Sequence, residues 1–373
     1  MTGKPRVRIG RGYAVHFNIS HGQKNVQLIS RFTNPLQRIH RQLVAISVNE
    51  PGYDLIHTFN AIPLLTSCPY IVTFESGLPR LTSTELDRLF LRPLTTRLLK
   101  PQCRTIIAIS KYAVRQMRIQ HSDSAECGAL LRKLEVVYPG VNNLALCSKP
   151  RQGETLKLLF CGNDFFRKGG PALVAAHDRL TKDGSKIETT VVSNLSWSID
   201  DNVAPVDTAY VESEFKKLSQ EGITHRKNIT NSEVRDLMRS SDYLVLPTLH
   251  DTFGYVTLEA MASGTPVIAT DTCVMPEIID HEQSGFLLPF ENDTQAHKWV
   301  HISEKFAKAK IEAYRSAIND LTISLTATLR GPANVRTEYE AMSARALNTV
   351  ESQFGREVAR QKLETIYAAA LHI

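Results

Sequence analysis

The 373-residue chain contains no run approaching the roughly 20 apolar residues of a membrane-spanning helix. Its N-terminus, MTGKPRVRIGRGYAVHF, carries charge but lacks the apolar core of a secretory signal. Its six cysteines, at 68, 103, 127, 147, 161 and 273, show neither metal-cluster nor disulfide spacing, so free thiols in a reducing compartment are expected. There is no internal repeat, no low-complexity tract and no G-x-x-x-x-G-K-[ST] phosphate loop. The chain also lacks a lysine signal for pyridoxal phosphate chemistry. It has no recognisable nucleic-acid module or aromatic stacking set, so nucleic acid is not an expected partner. What remains is a composition of 42% hydrophobic and 22% charged residues, that of a soluble globular protein long enough for two domains with a core each.

Charge is unevenly spread. Residues 1–150 hold 20 Lys/Arg against 8 Asp/Glu, a balance of +12, within a chain whose net charge is +6. The stretch 86–120 contains Arg88, Arg92, Arg97, Lys100, Arg104, Lys111, Arg115 and Arg118 against Asp87 alone. Such a surface favours an anionic partner, phospholipid or lipid diphosphate; the plainer reading is a solvated basic face.

From about residue 155, short apolar segments alternate with helical ones. LKLLFCG, IETTVVS, DYLVLPT, TPVIATD and GFLLPF read as strands, and GGPALVAAHDRLTK, VESEFKKLSQEG, NSEVRDLMRSSD and FGYVTLEAMAS as helices. Strands apolar nearly throughout and separated by helices predict a parallel sheet covered on both faces, a Rossmann-like domain. The first half is similar but less regular. YDLIHTFN, PYIVTFES, TIIAIS, KLEVVYPG and NVQLISRF read as strands, and KYAVRQMRIQ and NPLQRIHRQLVAI as helices. A Pro/Asn/Ser/Gly-rich linker at about 139–154 separates the halves, and REVARQKLETIYAAAL is an amphipathic helix. The expected division is 1–150 and 151–354, with a C-terminal helix at about 355–373 returning to the first domain. Ligands of open α/β domains bind beyond the carboxyl ends of the strands, so the chemistry should lie in the turns that follow them.

Two turns qualify. In LLFCGNDFFRKGGPALVAA a strand ends at Gly162, and Lys168-Gly169-Gly170 opens a helix. Free amides there, a cation and close-approach glycines suit a phosphate. Alternatively, Arg167 and Lys168 are exposed loop cations and the glycines serve the turn. In DTFGYVTLEAMASGTPVIATD, Asp251 stands at a helix mouth, the amides of Phe253, Gly254 and Tyr255 would face a ligand, and Glu259 lies in an apolar run. Glu259 is five residues past Gly254, roughly 7–8 Å along the axis. Burying its carboxylate bare is costly, so it needs donors, and the vicinal hydroxyls of a ribose would satisfy both oxygens. The alternative is a surface Glu with Asp251 as an N-cap; capping and ligand binding are compatible at Asp251.

The D-x7-E spacing followed by AMASGTPVIATD, PEII and SGFLL resembles the E-x7-E signature of the retaining family 4 glycosyltransferases. YDLIH, IIAISKYA, VVYPGV, LLFCGNDFFRKGG, SDYLVLPT and ARQKLETIY fall in the matching order. The resemblance covers residues 53–373 and implies a GT-B fold, α/β with two Rossmann-like domains facing each other across a cleft. It further implies that Glu259 holds the ribose of a nucleotide-sugar donor, Asp251 contacts the donor sugar, Lys168 binds the diphosphate, and the Phe253–Tyr255 amides meet sugar and phosphate. Gly162 and Asn163 border the phosphates, and His225 and Arg226 the base. The sequence departs from that pattern at three places. Asp251 replaces the usual Glu. Asn163 replaces a phosphate-binding Arg, a charge Arg167 could restore. Glu75 stands where many relatives have a His, which leaves Glu75 and His57 as acceptor-side candidates. The family's glycine-rich N-terminal loop is also not evident, since GRG at 10–12 lacks its spacing.

The reaction so implied moves a sugar, with retention, from a nucleoside-diphosphate sugar to a hydroxyl acceptor, a glycan or lipid-linked glycan. Lys168 and Arg167 would stabilise the leaving diphosphate, Asp251 would hold the sugar, and no metal or other cofactor is required. The basic 86–120 stretch could rest the protein on the cytoplasmic leaflet. Alternatives are a catalytically silent nucleotide-sugar-binding relative and a GT-B-fold nucleotide-sugar epimerase.

Overall fold

The computed structural model describes residues 4–9, 27–30, 46–47, 52–64, 66–80, 85–142, 153–197, 207–303 and 307–372, together with 150 and 203. The chain forms two compact units, Met1–Val141 with Gln353–Ile373, and Asn142–Ser352. Strands of the first are β1 (Arg6–Ile9), β2 (Gln27–Ser30), β3 (Ile46–Ser47), β4 (Leu55–Phe59), β5 (Ile62–Pro63), β6 (Tyr70–Phe74), β7 (Cys103–Ala108) and β8 (Leu134–Val136). Those of the second are β9 (Leu156–Cys161), β10 (Ile187–Val192), β11 (Ile223–Arg226), β12 (Tyr243–Leu246), β13 (Val267–Thr270) and β14 (Gly285–Leu288). The longer helices are α1 (Glu85–Leu99), α2 (Lys111–Gln120), α3 (Gly170–Lys182), α4 (Thr208–Lys216), α5 (Asn231–Ser240), α6 (Tyr255–Ala262), α7 (Ala307–Arg330), α8 (Arg336–Gln353) and α9 (Arg356–Leu371).

In the first unit the strands lie in the order β2-β1-β4-β6-β7-β8, all parallel, and β3 pairs separately with β5. Every residue of β6 is buried, as expected for a parallel strand covered on both faces. Alternation sends Tyr70, Val72 and Phe74 to one core with Leu94 and Leu98 of α1 and Met117 of α2. It sends Ile71, with Val7, Leu55 and Ile107, to the other, closed by Leu363, Tyr367 and Ala370 of α9. The sequence reading missed α1, whose charge and internal Pro93 obscure its apolar face. Lys133 ends that helix by donating to the carbonyls of Leu98, Leu99, Lys100 and Cys103.

The second sheet has the order β11-β10-β9-β12-β13-β14, again all parallel. Numbered from β9, this is the 3-2-1-4-5-6 order of dinucleotide-binding sheets, reversing direction between β9 and β12. The central strands β12 and β13 are wholly buried, while edge strand β11 alternates half-buried and exposed positions. Two helices the sequence reading did not separate, α7 and α8, brace this unit. The Tyr314 hydroxyl of α7 donates to the Phe166 carbonyl at 3.0 Å. Tyr339 and Ser343 of α8 donate to the carbonyls of Asp242 and Gly264 at 2.6 and 2.7 Å.

Both halves are thus Rossmann-like α/β units. The expected helix at 34–46 and the GRG stretch at 10–12 lie outside the described residues. The five described cysteines, Cys68, Cys103, Cys127, Cys161 and Cys273, are free thiols. No helix among the described residues is long and apolar enough to cross a membrane.

Candidate functional site

The strand-order reversal between β9 and β12 marks where an open α/β sheet offers a ligand crevice, and the loops after these two strands are tied together there. After β9, Phe165 and Phe166 bury their rings in an aromatic cluster with Phe215, Tyr210 and Tyr314. That anchoring turns the intervening chain outward, and the next two residues are Arg167 and Lys168. The Arg167 carbonyl accepts from the Leu249 amide at 3.0 Å and the Thr248 hydroxyl at 3.2 Å. Its guanidinium donates to Asp164 at 2.6 Å and to the His250 carbonyl at 3.1 Å.

Gly169 adopts φ +76°, and a Cβ there would collide with the Pro247 carbonyl. A Cβ on Gly170 would strike the Phe165 ring. The amides of Lys168, Gly169 and Gly170 donate to the carbonyls of Asp164, Phe166 and Phe165. These glycines therefore serve the packing of the loop, and its amides are already used. This corrects the expectation of free amides at the Lys168-Gly169-Gly170 helix start.

Lys168 forms an ion pair with Asp251, whose side chain is 9% exposed. The other Asp251 oxygen accepts from the amides of Phe253 at 3.3 Å and Gly254 at 3.0 Å. Asp251 accordingly closes the turn just before α6, whose N-cap is Gly254, and two of the amides expected to face a ligand are turned to its carboxylate. Burial would raise the Asp251 carboxyl, but the Lys168 ammonium and its hydrogen bond, with Arg167 and His250, hold it below its ordinary value. The Phe253 ring is buried and packs 4.8 Å from the half-buried Tyr255 ring. Gly254 has φ +68°, and a Cβ there would meet the Met275 methyl.

Glu259 lies on the next turn of α6 and is half-buried. Among the described residues no side chain or amide donates to its carboxylate, and burial raises its carboxyl above the ordinary value against an opposing effect of Arg235. Cys161 ties the arrangement together at the end of β9. Burial first, then the Glu259 charge, pushes its thiol up to about 12, while Lys168 acts the other way. Lys168, Asp251 and Glu259 thus belong to one neighbourhood at the carboxyl ends of β9 and β12.

The remaining residues of the second unit flank this centre. Gly162 donates to Val192, and a Cβ on it would press on the Lys168 side chain. Asn163 is exposed; its carbonyl receives the Ser196 amide at 2.8 Å. His225 ends the edge of the sheet, its Nε2 2.9 Å from the Ser193 carbonyl, and Arg226 beside it is exposed. Sequence reasoning missed His250, which directly precedes Asp251. Its imidazole is pushed down to about 4, first by burial and then by Arg167, Lys168 and Lys298, with Asp251 opposing. Its Nδ1 stands 3.3 Å from the Cys273 sulfur.

In the first unit the two acceptor-side candidates part company. His57 is 1% exposed, with Nδ1 2.7 Å from the Tyr367 hydroxyl and Nε2 2.7 Å from the Thr73 hydroxyl. Burial lowers its pKa to about 3. With both ring nitrogens used inside the core, His57 has no atom to offer an acceptor, which corrects its assignment. Glu75 follows β6 and is half-buried, accepting from Arg80 at 2.5 Å and from Asn60 at 3.4 Å. Of the basic stretch, Arg97 is turned inward onto the carbonyls of Pro63 and Thr66 and over the Tyr70 ring. Arg92, Lys100, Arg104, Lys111, Arg115 and Arg118 are exposed; the Arg88 side chain lies outside the described residues.

Residues 148–310 match the family model described as glycosyl transferases group 1. A D-inositol 3-phosphate glycosyltransferase of Paenarthrobacter aurescens is 30% identical over 172 residues, 43% of this chain and 40% of its own. A protein of the Klebsiella pneumoniae cps region, described as uncharacterized, is 28% identical over 233 residues, 59% of this chain and 57% of its own. The chain spans about half the length of the curated relatives it matches. Among solved structures, the sucrose-phosphate synthase of Thermosynechococcus elongatus aligns over 98% of both chains with a TM-score of 0.62 at 16% identity. Anabaena HepE, in complex with UDP and glucose, aligns over 98% of this chain and 99% of its own with a TM-score of 0.58 at 13% identity. At such identities these likenesses speak for the fold, which is GT-B. Through residues 148–310 the chain resembles the glycosyl transferases group 1, and its fold is that of the GT-B structures it aligns with.

Proposed function

We propose that the protein transfers a sugar, with retention, from a nucleoside-diphosphate sugar to a hydroxyl of a glycan or lipid-linked glycan. One observation carries this reading. Lys168, Asp251 and the undonated Glu259 converge at the strand-order reversal of a dinucleotide-type sheet. The vicinal hydroxyls of a ribose supply the donors that Glu259 lacks, offsetting the cost of its burial. Asp251 holds hydroxyls of the transferred sugar, and Lys168 meets the diphosphate.

Breaking the bond from the anomeric carbon to the diphosphate leaves positive charge on the ring and negative charge on the phosphate. Lys168, the positive end of α6 and Arg167 stabilise that phosphate, a role worth roughly 3–4 kcal/mol per donor in other enzymes. The leaving phosphate oxygen takes the proton of an acceptor hydroxyl arriving on the same face, so no protein nucleophile is involved. In this reading the chain's own cations suffice, without metal or other cofactor. His225 and Arg226 border the base, Asn163 and the Tyr255 amide border the phosphates and sugar, and Glu75 serves the acceptor side.

Incubation with labelled UDP-, GDP- and ADP-sugars tests the reading through release of nucleoside diphosphate and formation of a glycosylated product. Absence of both with every donor rejects it. The ion pairs Lys168–Asp251 and Arg167–Asp164, with Asn163 in place of an arginine, favour a second reading, a relative that binds nucleotide sugar without transferring it. Nucleotide binding without turnover would select that reading.

For the acceptor, Lys111, Arg115 and Arg118 recur at helical spacing along α2 and are exposed beside exposed Ile119, a stripe suited to an anionic membrane surface. In this reading the protein sits at the cytoplasmic leaflet. Flotation with vesicles containing anionic lipid, but not with neutral vesicles, is the expected result; equal behaviour discards the membrane assignment.

A further inference from the structure

We propose that Lys298 is a third cation of the diphosphate site; this rests on the donor-site reading above. The loop after β14 is fastened to the turn after β13 at several points. The Asn292 amide donates to the Asp271 carbonyl, and its Oδ1 accepts from the Thr272 hydroxyl at 2.6 Å. The Cys273 amide donates to the His297 carbonyl at 2.8 Å. Both partners of that bond are left-handed, at φ +53° for Cys273 and +50° for His297, conformations that residues with a side chain rarely adopt.

The loop is also closed on itself. Asp293 donates through its amide to the Lys298 carbonyl at 2.8 Å, and its carboxylate accepts from the amides of Gln295 and Ala296 at 3.0 and 2.6 Å. Lys298 follows His297 directly, so its backbone position is set by these bonds. From there the path to the site is short, because the Cys273 sulfur lies 3.3 Å from His250, the neighbour of Asp251.

Charge on the His250 ring reports the same proximity. Arg167, Lys168 and Lys298 all disfavour its protonation, and Asp251 alone favours it. Two of the three cations are matched, Arg167 by Asp164 and Lys168 by Asp251. Lys298 is half-buried and has no carboxylate partner among the described residues. An unmatched, half-buried ammonium beside strand ends calls for an anion, and a diphosphate supplies one with charge to share between Lys168 and Lys298.

Titration of wild type, Lys298→Met and Lys298→Arg with UDP, GDP and ADP tests this. The diphosphate that wild type binds should bind Lys298→Met about tenfold or more weakly, and Lys298→Arg within a few-fold of wild type. The melting temperature without ligand should be the same for all three proteins. Equal affinity of wild type and Lys298→Met overturns the inference and leaves the donor reading standing. A loss in Lys298→Arg as deep as in Lys298→Met, or a lowered ligand-free melt in both, overturns it as well. Failure of wild type to bind any of the three overturns the donor reading and the inference with it.

Discussion

Lys168 and Asp251, 83 positions apart in sequence, close an ion pair in which one carboxylate oxygen holds the ammonium and the other holds the amides of Phe253 and Gly254 just before α6. One acid therefore does two jobs, neutralising a cation and closing the turn that leads into a helix. On the donor reading proposed above, a diphosphate entering the site would compete with Asp251 for Lys168, while Asp251 keeps its bonds to the Phe253 and Gly254 amides.

Removing one partner strands the other. Lys168→Met leaves Asp251 buried without a counter-ion, and such breakage costs about 3 kcal/mol. The double variant Lys168→Met/Asp251→Asn should recover much of that loss, since its side-chain oxygen still accepts from the Phe253 and Gly254 amides. Urea denaturation of wild type, Lys168→Met, Asp251→Asn and the double variant checks this; additive losses would show that the pair is not coupled. Transfer activity should be abolished in every variant lacking Lys168.

The two acids of the signature respond to pH with opposite sign. The Asp251 carboxyl is held below its ordinary value, so its contribution to stability is present above the ordinary carboxylate range and is lost as pH falls through its folded value. Glu259 is raised, so the folded state is favoured while it is protonated, and that contribution fades as pH rises through its folded value. Glu259→Gln should then be more stable than wild type at neutral pH, with the difference closing in acid. Denaturation midpoints from about pH 3 to about pH 8 read both effects. The same variant should bind nucleotide at least about tenfold more weakly, having lost charged acceptors for the ribose hydroxyls.

Gly169→Ala introduces a side chain at φ +76° against the Pro247 carbonyl. A loss of at least about 1 kcal/mol is expected, because alanine is disfavoured at positive φ even without a collision. The displaced loop carries Lys168, so kcat/KM should fall along with the melting temperature. Gly184→Ala, at a positive-φ glycine with open space around it, is the control that should cost less and spare activity.

Tyr367→Phe removes the hydroxyl that meets Nδ1 of His57 and leaves a buried ring nitrogen unsatisfied. A loss of about 1–3 kcal/mol is expected. Nucleotide affinity should not change, because this trio belongs to the core of the first unit. A change in affinity would return His57 to the site.

The second sheet was legible in the sequence because its buried strands are short apolar runs whose following turns carry the charged residues. The D-x7-E spacing likewise placed Asp251 at the mouth of the short helix that carries Glu259. Spacing does not reveal that Asp251 turns to the Phe253 and Gly254 amides before its helix, nor that the glycines after Lys168 answer to Pro247 and Phe165. The Pro247 contact joins residues far apart in the sequence, and the others depend on how each loop folds back on itself. Helices α1, α7 and α8 escaped notice because their charged and small residues mask the apolar stripe. His57 reads as a strand-end polar residue in YDLIHTFN, and only the return of α9 with Tyr367 turns it into core.

That return of α9 sets an order for synthesis. The second unit is one continuous segment, Asn142–Ser352, whereas one face of the first sheet is finished by Leu363, Tyr367 and Ala370. On the ribosome the later-made unit has all its parts first, and the earlier-made one waits with Val7, Leu55, Ile71 and Ile107 uncovered until the last turns of helix emerge. The N-terminal half is thus the part of this protein that a chaperone would be called on to shield.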